Sequence, residues 1–316
     1  RMAGMAVHEL RAQRETLHGA FSPDLAPALT VDAGDTIHVS TIDVAWGLEP
    51  PTDVTLPRRK VEPRDPVRDD GPAMTGPIAI RGCDPGSVLA VHIEEIVPAP
   101  VGFTWSGGRE WPDPTLNADL GLADDPMTLT LWVLDRERGR ATSDRGHGVP
   151  MRPFPGTIGL AQGAPGWQTG WHPRRTGGNM DCRELSVGST LYLPVEAAGG
   201  LLSVGDGHGA QGDGELCGSA IECAFERISL RVEIVEPDAM PIDGPVIRTA
   251  DAWVTLAFDR DLARAARRAA GAMIDLLSAT SGVSRMDSAV WISVAGDVRV
   301  TQMVNGVVGA HVVMRD

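Results

Sequence analysis

ISLRVEIV, residues 228–235, alternates without a break. Ile228, Leu230, Val232 and Ile234 fall on one side; Ser229, Arg231 and Glu233 fall on the other. A period of two is the mark of a strand with one face buried. The pattern recurs at 36–41 (TIHVST), 88–93 (VLAVHI) and 127–134 (MTLTLWVL). Turn signals separate these runs: DAGD at 32, CDPGS at 83 and PFPGTIG at 153. The 37 glycines and 24 prolines are about a fifth of the 316 residues, which favours a turn-rich architecture over a helical bundle. The expected fold class is mainly β, with a β-sandwich/barrel-like core.

The end of the chain reads differently. Residues 259–279 (DRDLARAARRAAGAMIDLLSA) start with Asp and carry apolar residues at 262, 265, 266, 269, 273, 276 and 277. That spacing predicts one amphipathic helix. Arg264, Arg267 and Arg268 read as its solvated face. A second helix is expected after Ser284, through MDSAVWIS, and then a strand at 297–304 (DVRVTQMV). We therefore expect one domain, 1–316, divisible into a β core (1–235) and a smaller C-terminal α/β portion (236–316). Residues 48–72 and 98–125 read as insertion-like loops, in which Trp105 and Trp111 serve as a lid or as packing.

Acids outnumber bases 42 to 28, for a formal charge of −14. That balance argues against nucleic acid as the main partner, because phosphate contacts carry most of such affinity. The four cysteines (Cys83, Cys182, Cys217, Cys223) form no C-x-x-C and no disulfide framework. They read as reduced, hence a cytoplasmic location. No run approaches the roughly 18 apolar residues of a membrane span. RMAGMAVHEL, at the start, lacks the apolar core of a signal peptide, and Arg1 reads as a trimmed or tagged end.

The densest chemistry lies at 203–222, SVGDGHGAQGDGELCGSAIE, which sets Asp206, His208, Asp213, Glu215 and Glu222 among six glycines. GHGAQG matches G-x-G-x-x-G, but no clean helix follows and the acids would repel phosphate. The acid spacing does not fit an EF-hand either. Asp206 and His208 are two apart, so on an extended chain both side chains project to one side and could ligate one ion. The alternative is an acidic, glycine-rich turn. Two more acids follow strand-like or Gly-Gly sequence: Asp181 in GGNMDC and Asp43 in STIDVAWG. Each is equally readable as a hydrogen-bonded turn aspartate. His147 and His172 read as surface histidines.

GGNMD at 177–181 followed by VGDGHGAQGDGELCGSAIE at 204–222 resembles the acetamidase/formamidase family of amide hydrolases. GDTIHVSTIDVAWG (34–47), TGPIAIRGCDPGSVLAVHI (75–93), PFPGTIGLA (153–161) and GDVRVTQMVNGVVGAHVVM (296–314) extend the resemblance along nearly the whole chain. The resemblance implies hydrolysis of short amides to a carboxylate and ammonia, a mainly β fold, a bound metal and oligomerisation. Carried onto this sequence, it makes Asp181, Asp206 and His208 the leading metal ligands, with Asp43 completing the set or orienting His208. Glu215 and Glu222 fall on its acidic positions and are the expected catalytic pair, Glu215 as proton shuttle. Asp213 is expected to brace the loop. Gly209, Gln211 and Trp105 are the expected substrate contacts; Gly209 stands where the family usually has a larger residue, which leaves the substrate's size open. The expected cofactor is a divalent metal, zinc first, with manganese, iron or calcium as alternatives. The expected partners are a small-molecule amide and a second copy of the chain, as a homodimer or dimer-based oligomer; no nucleic acid and no membrane. Cysteine catalysis is disfavoured, since neither Cys182 nor Cys217 shows a base partner. Rival readings are hydrolysis of a cyclic amide or carbamate, and a non-enzymatic metal-binding β protein.

Overall fold

A computed structural model describes residues 6–54, 56–108 and 114–316. Strands make up 39% of it and helices 12%, so the chain is mainly β, as the alternation requires. The sheets are open and not closed into a barrel.

The 228–235 run lies within the strand Phe225–Val235, the third from one edge of a nine-stranded sheet. It pairs antiparallel with Val88–Pro98 on one side and Thr36–Val39 on the other. Ile228, Leu230 and Val232 are fully buried. They join one apolar cluster with Phe154, Ile158, Leu202 and Val204 of the second, eleven-stranded sheet. Two sheets thus bury their apolar faces against each other, which is the sandwich solution to a one-sided strand.

The second sheet positions the chemistry. Its strand Leu202–His208 lies between Phe154–Gly159 and Met74–Ile80, and also pairs with the two-residue strand Glu222–Cys223. The expected loop at 98–125 is corrected in part. Val101–Ser106 is a strand paired with Thr128–Asp135, and a short helix spans Pro114–Asp119. The glycine and tryptophans of that stretch hid an alternating VGFTWS. Trp111 lies outside the described residues. Residues 48–72 contain no named strand among those described.

At the C-terminus the helix Leu262–Ser281 is capped by Asp261, whose side chain accepts from the Arg264 N–H, and ends at Gly282 with φ 68°. Ala265, Ala269, Met273, Leu276 and Leu277 bury against Ala252–Asp259 and Val308–Arg315, while Arg264, Arg267 and Arg268 stay exposed. The second helix spans Arg285–Ala295 and the strand Gly296–Gln302. No helix among the described residues is long and apolar enough to cross a membrane.

The two-residue strand Leu17–His18 is tied to the second sheet by a buried histidine. His18 Nδ1 lies 2.8 Å from the Ala20 carbonyl, so Nδ1–H donates there, and Nε2, 2.9 Å away, accepts from Ser203 Oγ. Burial depresses its pKa to about 4. An unfolded histidine titrates near 6.5, so between about pH 6.5 and 4 the unfolded chain holds a proton that the native one does not. This contribution is intact above pH 6.5 and lost as pH falls, by about 2 kcal/mol at pH 5. Melting followed from pH 7 to pH 5 should show a fall in Tm that is shallower in His18→Gln; equal slopes would remove His18 as its source.

Candidate metal and catalytic site

Asp206 and His208 sit at the end of Leu202–His208, and His208 pairs directly with Glu222 across the two strands. Asp181 follows the strand Gly177–Asn179, which is held against Phe154–Gly159. Glu215 comes from the loop after His208. The structure gathers all five side chains: Asp181, His208 and Glu215 offer ligand atoms within 4.8 Å of one another, and so do Asp206, His208 and Glu222. His208 Nε2 lies 3.3 Å from Glu222 Oε2, 3.4 Å from Asp206 Oδ1 and 3.9 Å from Asp181 Oδ1. All five residues are buried.

The backbone is bent to achieve this. Asp181, Asp206 and Glu215 have φ of 50°, 55° and 49°, the left-handed region that costs a residue with a side chain on the order of 1–3 kcal/mol. Gly156 forms the floor. A Cβ there would lie 2.6 Å from Asp181 Oδ1, 2.7 Å from His208 Cε1 and 2.8 Å from Asp206 Oδ2.

Hydrogen bonds orient the donors. Gln211 Nε2 donates to the Asp181 carbonyl (2.8 Å), which turns its Oε1 to accept from His208 Nδ1 (3.0 Å). That fixes the proton on Nδ1 and aims Nε2 at the carboxylates. Phe154 meets the imidazole edge-on, with ring centroids 5.0 Å apart. Thr157 Oγ1 lies 3.0 Å from Asp206 Oδ2, and the Asn305 amide donates to Asp181 Oδ2. Ala220 N–H (2.8 Å) and Ser219 Oγ (3.2 Å) hold Glu222 Oε1, leaving Oε2 for the cluster. Asp206 Oδ1, Glu215 Oε2 and Glu222 Oε2 are buried without a hydrogen-bond partner.

Four buried carboxylates cannot all stay charged beside one imidazole. Burial first, and mutual repulsion after it, push Asp181 up to about 7 and raise Glu215 and Glu222 as well, Glu215 far above its usual range. Burial works against charge on His208, but Glu222 and Asp206 outweigh it and hold the imidazole protonated well above its ordinary range. A divalent cation would relieve the same repulsion. The donor set of carboxylates and one oriented imidazole, with three orphaned oxygens, fits such an ion.

The other expected site residues are placed elsewhere. Asp43 is not brought to the cluster: Arg58 donates to both its oxygens, and the N–H groups of Ala45 and Gly47, each 3.0 Å away, occupy Oδ1. Its nearby strand ends at Val39, and Asp43 lies in the turn that follows, where it meets Arg58. Gly209 faces Leu134 and Ile221, which a Cβ there would meet at 3.4 Å, and Gln211 stands behind His208. Trp105 packs at a tilt against Phe103, ring centroids 4.8 Å apart, and lines a cavity of about 760 Å³ that opens onto the cluster. Trp171, Met127 and Val304 line the same cavity, as does His172, which reads from the sequence as a surface histidine. Asp213 is held by Arg183 Nε at 3.0 Å. Gly156, Thr157 and Asn305 escape a reading of the sequence for ligand types; only the PFPGTIG and MVNGVVG stretches mark them.

The family model described as the Acetamidase/Formamidase family matches residues 160–310. A Schizosaccharomyces pombe protein provisionally named a formamidase is 26% identical over 276 residues, covering 71% of this chain and 65% of its own length. An acetamidase of Mycolicibacterium smegmatis is 26% identical over 288 residues, covering 72% of this chain and 68% of its own. The chain thus spans just under two thirds of the yeast relative. The solved structure of an acetamidase from Yersinia enterocolitica superposes with a TM-score of 0.83 at 27% identity, covering 99% of this chain and 93% of that one. These matches bear out the resemblance read from the sequence.

Because the Gln211 amide sets the tautomer of His208, Gln211→Leu should weaken divalent-metal binding about 10–100-fold. Competition against a chromophoric chelator measures this; unchanged affinity in a variant of unchanged Tm would show that Gln211 does not orient the imidazole.

Proposed function

From the match to the acetamidase/formamidase family, we propose that this chain hydrolyses the C–N bond of a small amide to a carboxylate and ammonia. The observation that carries the reading is the buried group of four carboxylates on one imidazole, with three orphaned oxygens, at the floor of a cavity. Asp181, Asp206 and His208 would hold a divalent ion, zinc by the chemistry of the set, with Glu222 Oε2 beside them. When bound, the ion supplies an acidified water and a Lewis acid for the amide carbonyl.

The chain's own residues supply the rest. Glu222 is anchored by Ala220 and Ser219, so it is suited to a static role. Glu215 has a buried, unpartnered Oε2 and a carboxyl that holds a proton well above the usual range. With a cation relieving the repulsion that keeps it protonated, Glu215 as the carboxylate would take a proton from the attacking water and hand it to the departing nitrogen, which must leave as ammonia. Asn305 and Gln211 keep Asp181 and His208 in position while this happens. The carboxylates themselves are buried at the base of the cavity.

A cavity of about 760 Å³, walled by Trp105, Trp171 and Met127, exceeds the needs of formamide. That supports a second reading within the same chemistry, an amide with a larger or cyclic body.

Ammonia release from formamide, acetamide, an arylacetamide and a γ-lactam tests both readings. Release should vanish on chelation and return with one metal; activity persisting after verified metal removal would overturn the metal's part in it. Glu215→Gln should keep its metal and lose about 10²–10⁴-fold in kcat. A near-normal kcat would end the shuttle role.

A further inference from the structure

A second set of ligand atoms lies beside the first. Cys182, Glu184 and His311 offer atoms within 4.8 Å of one another, and all three residues are buried. Cys182 Sγ is 3.9 Å from Glu184 Oε2, and His311 Nε2 is 4.0 Å from the same oxygen. The Cys182 thiol donates a long hydrogen bond to that oxygen, whereas the His311 distance is too long for an N–H···O bond, which spans about 2.7–3.2 Å. The two distances exceed the S···O and N···O edges of a tetrahedral zinc site, about 3.5 and about 3.3 Å, by roughly 0.4 and 0.7 Å, a gap that a bound ion would draw in.

His311 gives the independent sign. It is fully buried and its Nε2 has no hydrogen-bond partner. Its Nδ1 lies 2.8 Å from Thr301 Oγ1. With Nδ1–H donating to that hydroxyl, the lone pair of Nε2 points at Cys182 and Glu184. Glu184 is two-sided. Its Oε1 faces Arg299 Nη1 at 3.5 Å and Arg183 Nε at 4.0 Å, while its Oε2 faces the thiol and the imidazole. The arginines are themselves engaged by Asp213 and Asp297. A thiolate and a carboxylate together cancel the two charges of a zinc ion, so the arginines would face a neutral site.

We propose that Cys182, Glu184 and His311 supply the three protein ligands of a second zinc site, separate from the carboxylate cluster and independent of the proposed reaction. Binding would release the Cys182 proton to solvent and form a zinc–sulfur bond. The bond would tie residues 181–184 to the C-terminal hairpin, Gly296–Gln302 and Val308–Arg315. That hairpin carries Asn305, the donor to Asp181, and its Thr301 carbonyl accepts from Gly214, next to Glu215. A site there would hold the carboxylate cluster's supports together without touching substrate.

X-ray absorption at the zinc edge on the zinc-loaded full chain tests this. The carboxylate cluster offers no sulfur ligand, so a sulfur scatterer at about 2.3 Å that is present in the wild type and lost in Cys182→Ser assigns zinc to Cys182 rather than to Cys83, Cys217 or Cys223. In His208→Ala, which disables the carboxylate cluster, the sulfur shell should persist and become the dominant signal. In Cys182→Ser and His311→Gln, bound zinc should fall by one equivalent per chain. Loaded wild-type protein whose zinc has only nitrogen and oxygen neighbours would overturn the site, as would failure to bind more than the carboxylate cluster's own ion. A wild-type spectrum without sulfur overturns the site even if a variant fails to fold. Loss of amide hydrolysis is not part of this readout, so failure of the proposed reaction leaves the result standing.

Discussion

Repulsion among Asp181, Asp206, Glu215 and Glu222, buried around the His208 imidazole, is the constraint that the surrounding structure answers. Charge of one sign out of water is costly unless it is neutralised by protons, an opposite charge or a metal. The chain supplies one imidazole against four carboxylates. Everything within reach then serves to hold that imbalance in place. The pairing of His208 with Glu222 brings the cation to one acid. Glycine at 156 lets three of the side chains converge, and left-handed backbone at Asp181, Asp206 and Glu215 points them inward. Strain of this kind persists only where neighbouring packing over-determines it. The two sheets provide that packing, because the apolar cluster behind the site draws on both.

The C-terminal hairpin links the cluster to the rest of the chain. Asn305 reaches Asp181 from a turn that lies 124 residues away in sequence. Gly214 exchanges backbone hydrogen bonds with Thr301 and Met303, so the loop bearing Glu215 leans on the same hairpin. The hairpin in turn is backed by the helix Leu262–Ser281, whose apolar face covers Val308–Arg315. The α/β portion is thus more than an appendage: it closes one side of the carboxylate cluster and contributes Val304 and Asn305 to the cavity.

The carboxylate cluster and the Cys182, Glu184 and His311 group share the 181–184 segment but differ in surroundings. The first opens to a cavity, and its acids have oxygens to spare. The second is enclosed, and its one acid is divided between two arginines and two softer donors. An open position suits chemistry, whereas an enclosed one suits stability.

The sequence by itself determined the class of fold and the identity of the acids. Alternation at 228–235 and the 3.6-residue spacing at 262–277 report which faces are buried, and burial is a local property of a strand or helix. Asp206, His208, Glu215 and Glu222 were legible because they are crowded into one short stretch. Only the tertiary structure decided which acids meet. Asp43 and Asp181 look alike in sequence, each after a strand-like or Gly-Gly stretch. Asp43 is met by Arg58, from a loop with no periodicity to announce it, and Asp181 is met by His208. Gly156, Asn305 and His311 act through neighbours more than 10 residues away in the chain, and Trp105 turned from a loop residue into a strand residue because Leu129 pairs with it. Such contacts depend on register between distant strands, which periodicity within one segment does not encode.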